Sequence, residues 1–362
     1  MILPRARVLL LRWAFRVLFG LARPVKRLLA GRPVDRDGQV LDLDLQLLGR
    51  VGDLLGGSGS ALDQAALAEQ RRQADIAAEA AADPDLDDVL TSDWQIPGPG
   101  CPLPARLYVP PSEPESCGLL VYFHGGGFVL GSLASTDPLC RLVAAQSGVR
   151  LLSVEYRLAP EHPYPAALED ALAAFRWARA EAPALGADPG LVAVGGDSAG
   201  GNLALVVAHQ QTAAAPPAFV LALYPVTDAD RSGGSRELFG QGFGLTADQL
   251  VELERLYLPD GIPDGDLRGA ILRAEDLTGM PPVYLSTAGF DPLRDEGEEL
   301  ADRLREAGVP VVARRFAGLV HGYASFTAFS AAARDATLDA ASALRTTLTL
   351  AESRTRPLRH TA

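Results

Sequence analysis

From Leu103 onward the chain alternates short runs of β-branched and other apolar residues with longer stretches whose apolar positions recur at helical spacing. The runs at 107–109, 119–123, 151–155, 191–194, 220–224, 283–288 and 311–316 predict strands, and helical patterns fill most of the gaps between them. Such alternation predicts an α/β fold: a mainly parallel sheet covered by helices on both faces. A run at 89–96 adds a first, antiparallel strand, which Pro97-Gly98-Pro99-Gly100 confines to an edge. Between Tyr224-Pro225 and Pro281 the alternation stops. There Thr246 and Gln249 make a capping box that opens an amphipathic helix reaching Leu258. This insertion, 229–279, is expected to join helices of 1–86 in a cap over a core built from 87–228 and 280–362. Gly56-Gly57-Ser58-Gly59-Ser60 reads as a short flexible joint within the cap.

The N-terminal segment has its own pattern. Residues 1–32 carry eight arginines and lysines and no acid, so the rest of a chain whose net charge is −12 carries −20. At about 100° per residue, Arg5, Arg12, Arg16, Arg23 and Arg27 share one narrow helical face, with Leu, Val, Phe and Trp around most of the remainder. Pro24 bends or divides this helix. Arg12 and Arg16 interrupt the apolar run and no small-residue cleavage site follows, so neither a membrane span nor a standard signal peptide fits. Two readings stay open: a cap helix that closes over an apolar pocket, or a basic amphipathic helix that also lies peripherally on an anionic membrane surface.

Composition narrows the function classes. A chain of 362 residues with 48% hydrophobic content holds one sizeable α/β domain plus an accessory part. Cys101, Cys117 and Cys140 form no C-x-x-C pair and leave an odd cysteine, which indicates neither a disulfide framework nor a zinc site and suits a reducing, cytoplasmic compartment. The five histidines lack metal-ligand spacing, so no metal is expected. Nucleic acid is excluded as a partner, because the net charge repels phosphate and no recognition module is present.

Two glycine-rich segments sit where predicted strands end. Gly196-Asp197-Ser198-Ala199-Gly200 follows one strand and precedes a helical pattern starting at Gly201, the strand–turn–helix context of a nucleophile elbow. Gly196 and Gly200 provide the room a strained turn requires, and the bland alternative is a Gly/Ser-rich turn without chemistry. His124-Gly125-Gly126-Gly127-Phe128 follows another strand and has the form of an oxyanion-hole loop. Phosphate binding would be the competing use of such a loop, but neither G-x-x-x-x-G-K-[ST] nor G-x-G-x-x-G occurs.

A serine nucleophile requires a base and an orienting acid. His209 lies on the helix leading away from Ser198, His162 in a proline-flanked loop, His360 in a polar tail, and His124 in the glycine loop it would brace. His321 remains, past a late strand and in the expected order after serine and acid. Asp291 ends the strand between them, because Pro292 cannot continue the ladder; Asp295 is the runner-up, a turn into the next helix among the solvated acids Glu296, Glu298 and Glu299. In this scheme Ser198 attacks an acyl carbonyl, His321 relays the proton and Asp291 fixes the imidazole. The backbone N–H groups of Gly126, Gly127 and Ala199 bind the oxyanion. His124, Gly125 and Asp197 support the two motifs.

These motifs, with Glu155-Tyr156-Arg157-Leu158-Ala159-Pro160-Glu161-His162-Pro163, Asp291-Pro292-Leu293-Arg294-Asp295-Glu296-Gly297 and His321-Gly322, make the chain resemble the bacterial hormone-sensitive-lipase family of α/β-hydrolases, particularly its mycobacterial-type esterases and lipases. The resemblance implies hydrolysis of carboxylic esters without metal or cofactor, beneath a helical cap. It implies the same oxyanion amides, from the second and third glycines of the loop and the residue after the serine. Glu155, Arg157 and Glu161 read as structural ion-pairing groups. Phe128, Phe290, Leu319 and Val320 are expected to line the substrate pocket, since they adjoin the motifs. The leading expectation is a carboxylesterase for small-molecule esters of short or medium acyl chains. The alternatives are an interfacial lipase and a hydrolase-fold receptor, the latter disfavoured because His321 is retained. Monomer and homodimer are both compatible with the sequence.

Overall fold

The computed structural model describes residues 4–54, 66–83, 86–111, 118–228, 231–261 and 270–355. The expected joint at 56–60, Cys117 and His360 lie outside them. An eight-stranded sheet organises the chain. Its strands are β3 (Leu90–Ile96), β4 (Leu103–Val109), β5 (Leu119–Phe123), β6 (Arg150–Val154), β7 (Val192–Asp197), β8 (Val220–Leu223), β9 (Val283–Phe290) and β10 (Val311–Val320). They run in the order β10-β9-β8-β7-β5-β6-β4-β3. The pairs β3–β4 and β4–β6 are antiparallel and the rest parallel, so all strands predicted from the pattern are present. The central strands are buried on both faces, which is why they read as continuous apolar runs.

Alternation along each strand feeds two cores. One face, with Val121, Phe123, Val194 and Leu285, packs under α6 (Ala166–Ala180), α7 (Ala199–Gln211) and α10 (Arg294–Glu306). The other, with Leu120, Tyr122, Ala193, Tyr284 and Phe290, packs under α5 (Leu133–Ser147) and α11 (Ala331–Thr355).

The N-terminal region contributes α1 (Pro4–Phe19), α2 (Arg23–Ala30), a small hairpin of β1 (Asp35–Arg36) and β2 (Gln39–Val40), α3 (Leu43–Leu54) and α4 (Leu67–Ala81). The helix expected over 1–32 is divided ahead of Pro24, where Gly20 closes α1 on the carbonyl of Arg16 at 3.0 Å. The hairpin escaped the pattern reading because two-residue strands carry no periodicity. It is nonetheless anchored: the amide of Asp42 donates to the Gly318 carbonyl of β10 at 2.9 Å, and Arg294 pairs with Asp37 at 2.7 Å. Within the insertion, α8 (Ser235–Phe239) precedes α9 (Ala247–Tyr257), which opens with the expected Thr246–Gln249 capping box. No described helix is long and apolar enough to cross a membrane.

Glu296 departs from expectation. It is fully buried on α10 and not one of a row of solvated acids. One oxygen accepts the amides of Thr227 at 2.8 Å and Asp228 at 3.2 Å, and the other pairs with Arg236, which also reaches Glu254 of α9. It thus pins the start of the insertion to the core, and burial raises its carboxyl to about 7.

Candidate active site

Strand β7 delivers Ser198 at the carboxyl edge of the sheet, and α7 begins at the next residue. Ser198 holds φ 53° and ψ −117°, a conformation costly for a residue with a side chain. It is held there by its amide donating to Leu223 at 2.9 Å and its carbonyl accepting from Asn202 and Val226. The flanking glycines are required by contact: a Cβ on Gly196 would run into the backbone of Gly200, and one on Gly200 into the carbonyl of Phe123. The consequence is a hydroxyl projected above the sheet.

Strand β10 runs to Val320, four residues beyond the predicted end, and places His321 at that same edge. The Nε2 of His321 lies 2.9 Å from Ser198 Oγ, and its Nδ1 lies 2.9 Å from Oδ2 of Asp291. Asp291, fully buried just after β9, accepts the Leu293 amide at 2.8 Å through its other oxygen. Asp295 is occupied elsewhere, accepting the Ser235 amide at 2.8 Å and pairing with Arg294. The structure therefore brings Ser198, His321 and Asp291 together and leaves Asp295 out.

The glycine loop lies against the elbow. The Gly125 amide and the Tyr122 hydroxyl both donate to Oδ1 of Asp197 at 2.9 Å, tying β5 and its loop to β7. Burial raises the Asp197 carboxyl above its ordinary value. Gly126 and Gly127 have φ of 119° and 62°, and the amides of Gly126, Gly127 and Ala199 have no intramolecular acceptor among the described residues. His124 is buried and stacks on Tyr156 at 4.4 Å, with Nδ1 on the Gly125 carbonyl at 2.8 Å. Its burial lowers its pKa, so the ring braces the loop in neutral form.

A cavity of about 330 Å³ opens above Ser198 and His321. Phe128 lines it, stacked on Tyr257 of α9 with centroids 3.8 Å apart. Leu250 and Leu253 of α9, Ala74 of α4 and Tyr224 contribute to its largely apolar wall, with Leu130, Val226, Leu245 and Leu258. Tyr224 also meets the His321 ring edge-on at 5.0 Å. Three of the expected lining residues are corrected. Phe290 packs in the core against Phe239 and Phe243, and Leu319 and Val320 join the same core. Adjacency in sequence to Asp291 and His321 misled, because these residues feed the core under α5 and α11 instead of the cavity. The α9 and α4 lining residues carry no sequence signal, since nothing local to a helix marks which side faces a distant serine.

Arg157 and Glu161 form ion pairs, as expected, whereas Glu155 is held by a backbone amide instead. Glu155 accepts the Leu133 amide at 2.6 Å, Arg157 grips the buried Asp170 at 2.8 Å, and Glu161 pairs with Arg71 of α4 at 2.8 Å. Among the described residues no cluster of three His, Cys, Asp or Glu side chains could hold a metal.

A family model for the alpha/beta hydrolase fold matches residues 120–325, more than half of the chain, including Ser198, Asp291, His321 and the glycine loop. The chain belongs to the α/β-hydrolases. This α/β-hydrolase is 43% identical to the carboxylic ester hydrolase LipN of Mycobacterium tuberculosis, over 91% of this chain and 89% of that protein. It is 40% identical to the carboxylesterase NlhH of the same species, over 68% and 79% respectively. Among solved structures, a hyperthermophilic esterase from Pyrobaculum calidifontis superposes with a TM-score of 0.75 at 35% identity, covering 83% of this chain and 97% of that one. The resemblance to mycobacterial-type esterases of the hormone-sensitive-lipase family, carried by the motifs, holds across most of the hydrolase.

Proposed function

We propose that this protein is a serine carboxylesterase for small esters of short to medium acyl chains, with Ser198, His321 and Asp291 as its triad. One observation carries the reading: the unbroken hydrogen-bonded series from Ser198 Oγ through the His321 ring to Asp291. His321 Nε2 accepts the Ser198 proton as Oγ bonds to the ester carbonyl carbon. The tetrahedral oxyanion then takes hydrogen bonds from Gly126, Gly127 and Ala199. Collapse expels the alcohol, which receives the proton from His321, and leaves an acyl-enzyme that water hydrolyses by the same steps. Asp291 keeps the Nδ1 proton in place and stabilises the imidazolium. Ser198→Ala assayed on a p-nitrophenyl short-chain ester is expected to lose nearly all turnover; unchanged hydrolysis would overturn the assignment.

Membrane contact through α1 is a second reading, favoured by Leu9, Leu10, Trp13 and Val17, which are 48–64% exposed beside the exposed cations Arg7, Arg16 and Arg23. An apolar face flanked by arginines fits an anionic bilayer. Co-sedimentation with anionic vesicles, compared with zwitterionic ones and with a Leu10→Ser/Trp13→Ser variant, tests it. Binding equal in all arms, or none, removes this reading and leaves the esterase assignment untouched.

A further inference from the structure

The catalytic cavity does not end at its own floor. A second cavity of about 360 Å³ lies between α1, α4 and α5 and the segment 324–329. The two share a wall of Ala74, Ser135, Thr136 and Ser325. A third space of about 450 Å³ follows, separated from the second by Phe15, Ala81, Thr327 and Phe329, and opens at the surface beside Arg12, Arg16 and Arg334. We propose that these spaces form one channel from Ser198 beneath α4 to the surface beside α1, and that it holds the long alkyl chain of an ester substrate. The proposal rests on the serine-esterase reading and revises its chain length upward, from the short to medium esters that the catalytic cavity alone accommodates to esters with one long chain.

The α4 side of this route is clear of long side chains, and the paired rings of Phe15 and Phe329, 4.6 Å apart, stand between the second and third spaces. Ala74, Ala77, Ala78 and Ala81 recur at helical spacing and present a single face of α4 to the second cavity, with no side chain longer than a methyl group. Pro138 and Leu139 of α5 face them. At the shared wall, Ser135 Oγ already donates to the Ser132 carbonyl and accepts the Ser132 amide, so it does not call for a bound water. An apolar space of this kind gains free energy when methylene groups fill it. The second cavity is as large as the first, so joining them doubles the room available to a chain. The cationic rim marks the channel's end: Arg334 pairs there with Asp83 at 3.0 Å, and Arg12 Nη2 donates to the Glu79 carbonyl at 2.8 Å.

The experiment measures kcat/KM for the full chain on two series, p-nitrophenyl acyl esters from acetate to palmitate and alkyl acetates of rising length. Wild type is compared with Ala78→Phe and Ala81→Leu, both outside the catalytic cavity. The expected result is that wild type retains activity on long members of one series, and that both variants lose roughly tenfold or more there, the effect of denying burial to about two methylenes. Acetate hydrolysis stays at wild-type level, which also reports that the variants fold. The series affected tells whether acyl or alcohol chain occupies the channel. Three results overturn the proposal: wild type inactive on long members of both series, variants matching wild type on them, or both variants losing activity equally at every length. Absence of hydrolysis of any ester by wild type would instead overturn the esterase reading beneath it.

Discussion

The Gly125 amide donates to the Asp197 side chain at 2.9 Å, joining residues 72 positions apart and holding the glycine loop against the serine turn. Asp197 is one residue before the nucleophile, so loop and turn shift together or not at all. Asp197→Ala leaves two buried donors without an acceptor, a loss of about 1–3 kcal/mol each. We expect kcat to fall roughly 10–100-fold, with Asp197→Asn, which keeps an oxygen, intermediate. Steady-state kinetics beside a thermal melt separates loop displacement from unfolding; full activity in Asp197→Ala would contradict this role.

The two candidate acids are told apart by neutralising each. Asp291→Asn is expected to lower kcat by about 10³–10⁴, because the amide can no longer hold the His321 tautomer. Asp295→Asn, whose contacts go to Ser235 and Arg294, is expected to affect stability more than kcat. Reversed effects would move the acid role to Asp295.

Gly127 sits at φ 62° with the Leu253 side chain of α9 only 2.5 Å from where a Cβ would be. Gly127→Ala is therefore expected to displace both the Gly127 amide, proposed above to bind the oxyanion, and helix α9, lowering kcat about 10²-fold or more. Adding Leu253→Ala relieves the clash, and the double variant should recover part of that loss. Strict additivity of the two losses would show that the contact is irrelevant.

Glu296 predicts a pH dependence of stability. Its folded value of about 7 exceeds the ordinary 4.5, so the folded state binds the proton more tightly. Stability on this account falls as pH rises from about 4.5 to about 7 and levels off above, a change on the order of a few kcal/mol. Urea unfolding of Glu296→Gln across that range should lose this slope. A variant with wild-type slope would assign the dependence to other groups.

The legible parts of this molecule are those whose chemistry is contiguous. Strand, glycine turn and helix stand next to one another around Ser198, and Asp291 announces its strand end through Pro292, so both could be placed before any contact was known. The pocket wall could not. Leu253 and Ala74 belong to helices whose inward sides depend on how they dock, and Phe290, beside Asp291 in sequence, turns into the core with Phe239 and Phe243. Glu296 was misread for the same reason: its partner Arg236 is 60 residues away, and a run of acids in a first helical turn carries no mark of which one is inside.

Arg71 of α4 donates to the carbonyls of Val129 and Ala159 at 2.8 and 3.0 Å and pairs with Glu161 as well. Hydrogen bonds from a charged donor are each worth about 1.5–3 kcal/mol, and here they would have to break at once for α4 to rise. Helix α4 is thereby fastened at Arg71 to the segments that follow the glycine loop and β6. Any motion that widens the way to Ser198 by lifting α4 has to break all three Arg71 contacts together, so such widening falls more easily to the elements α4 does not hold.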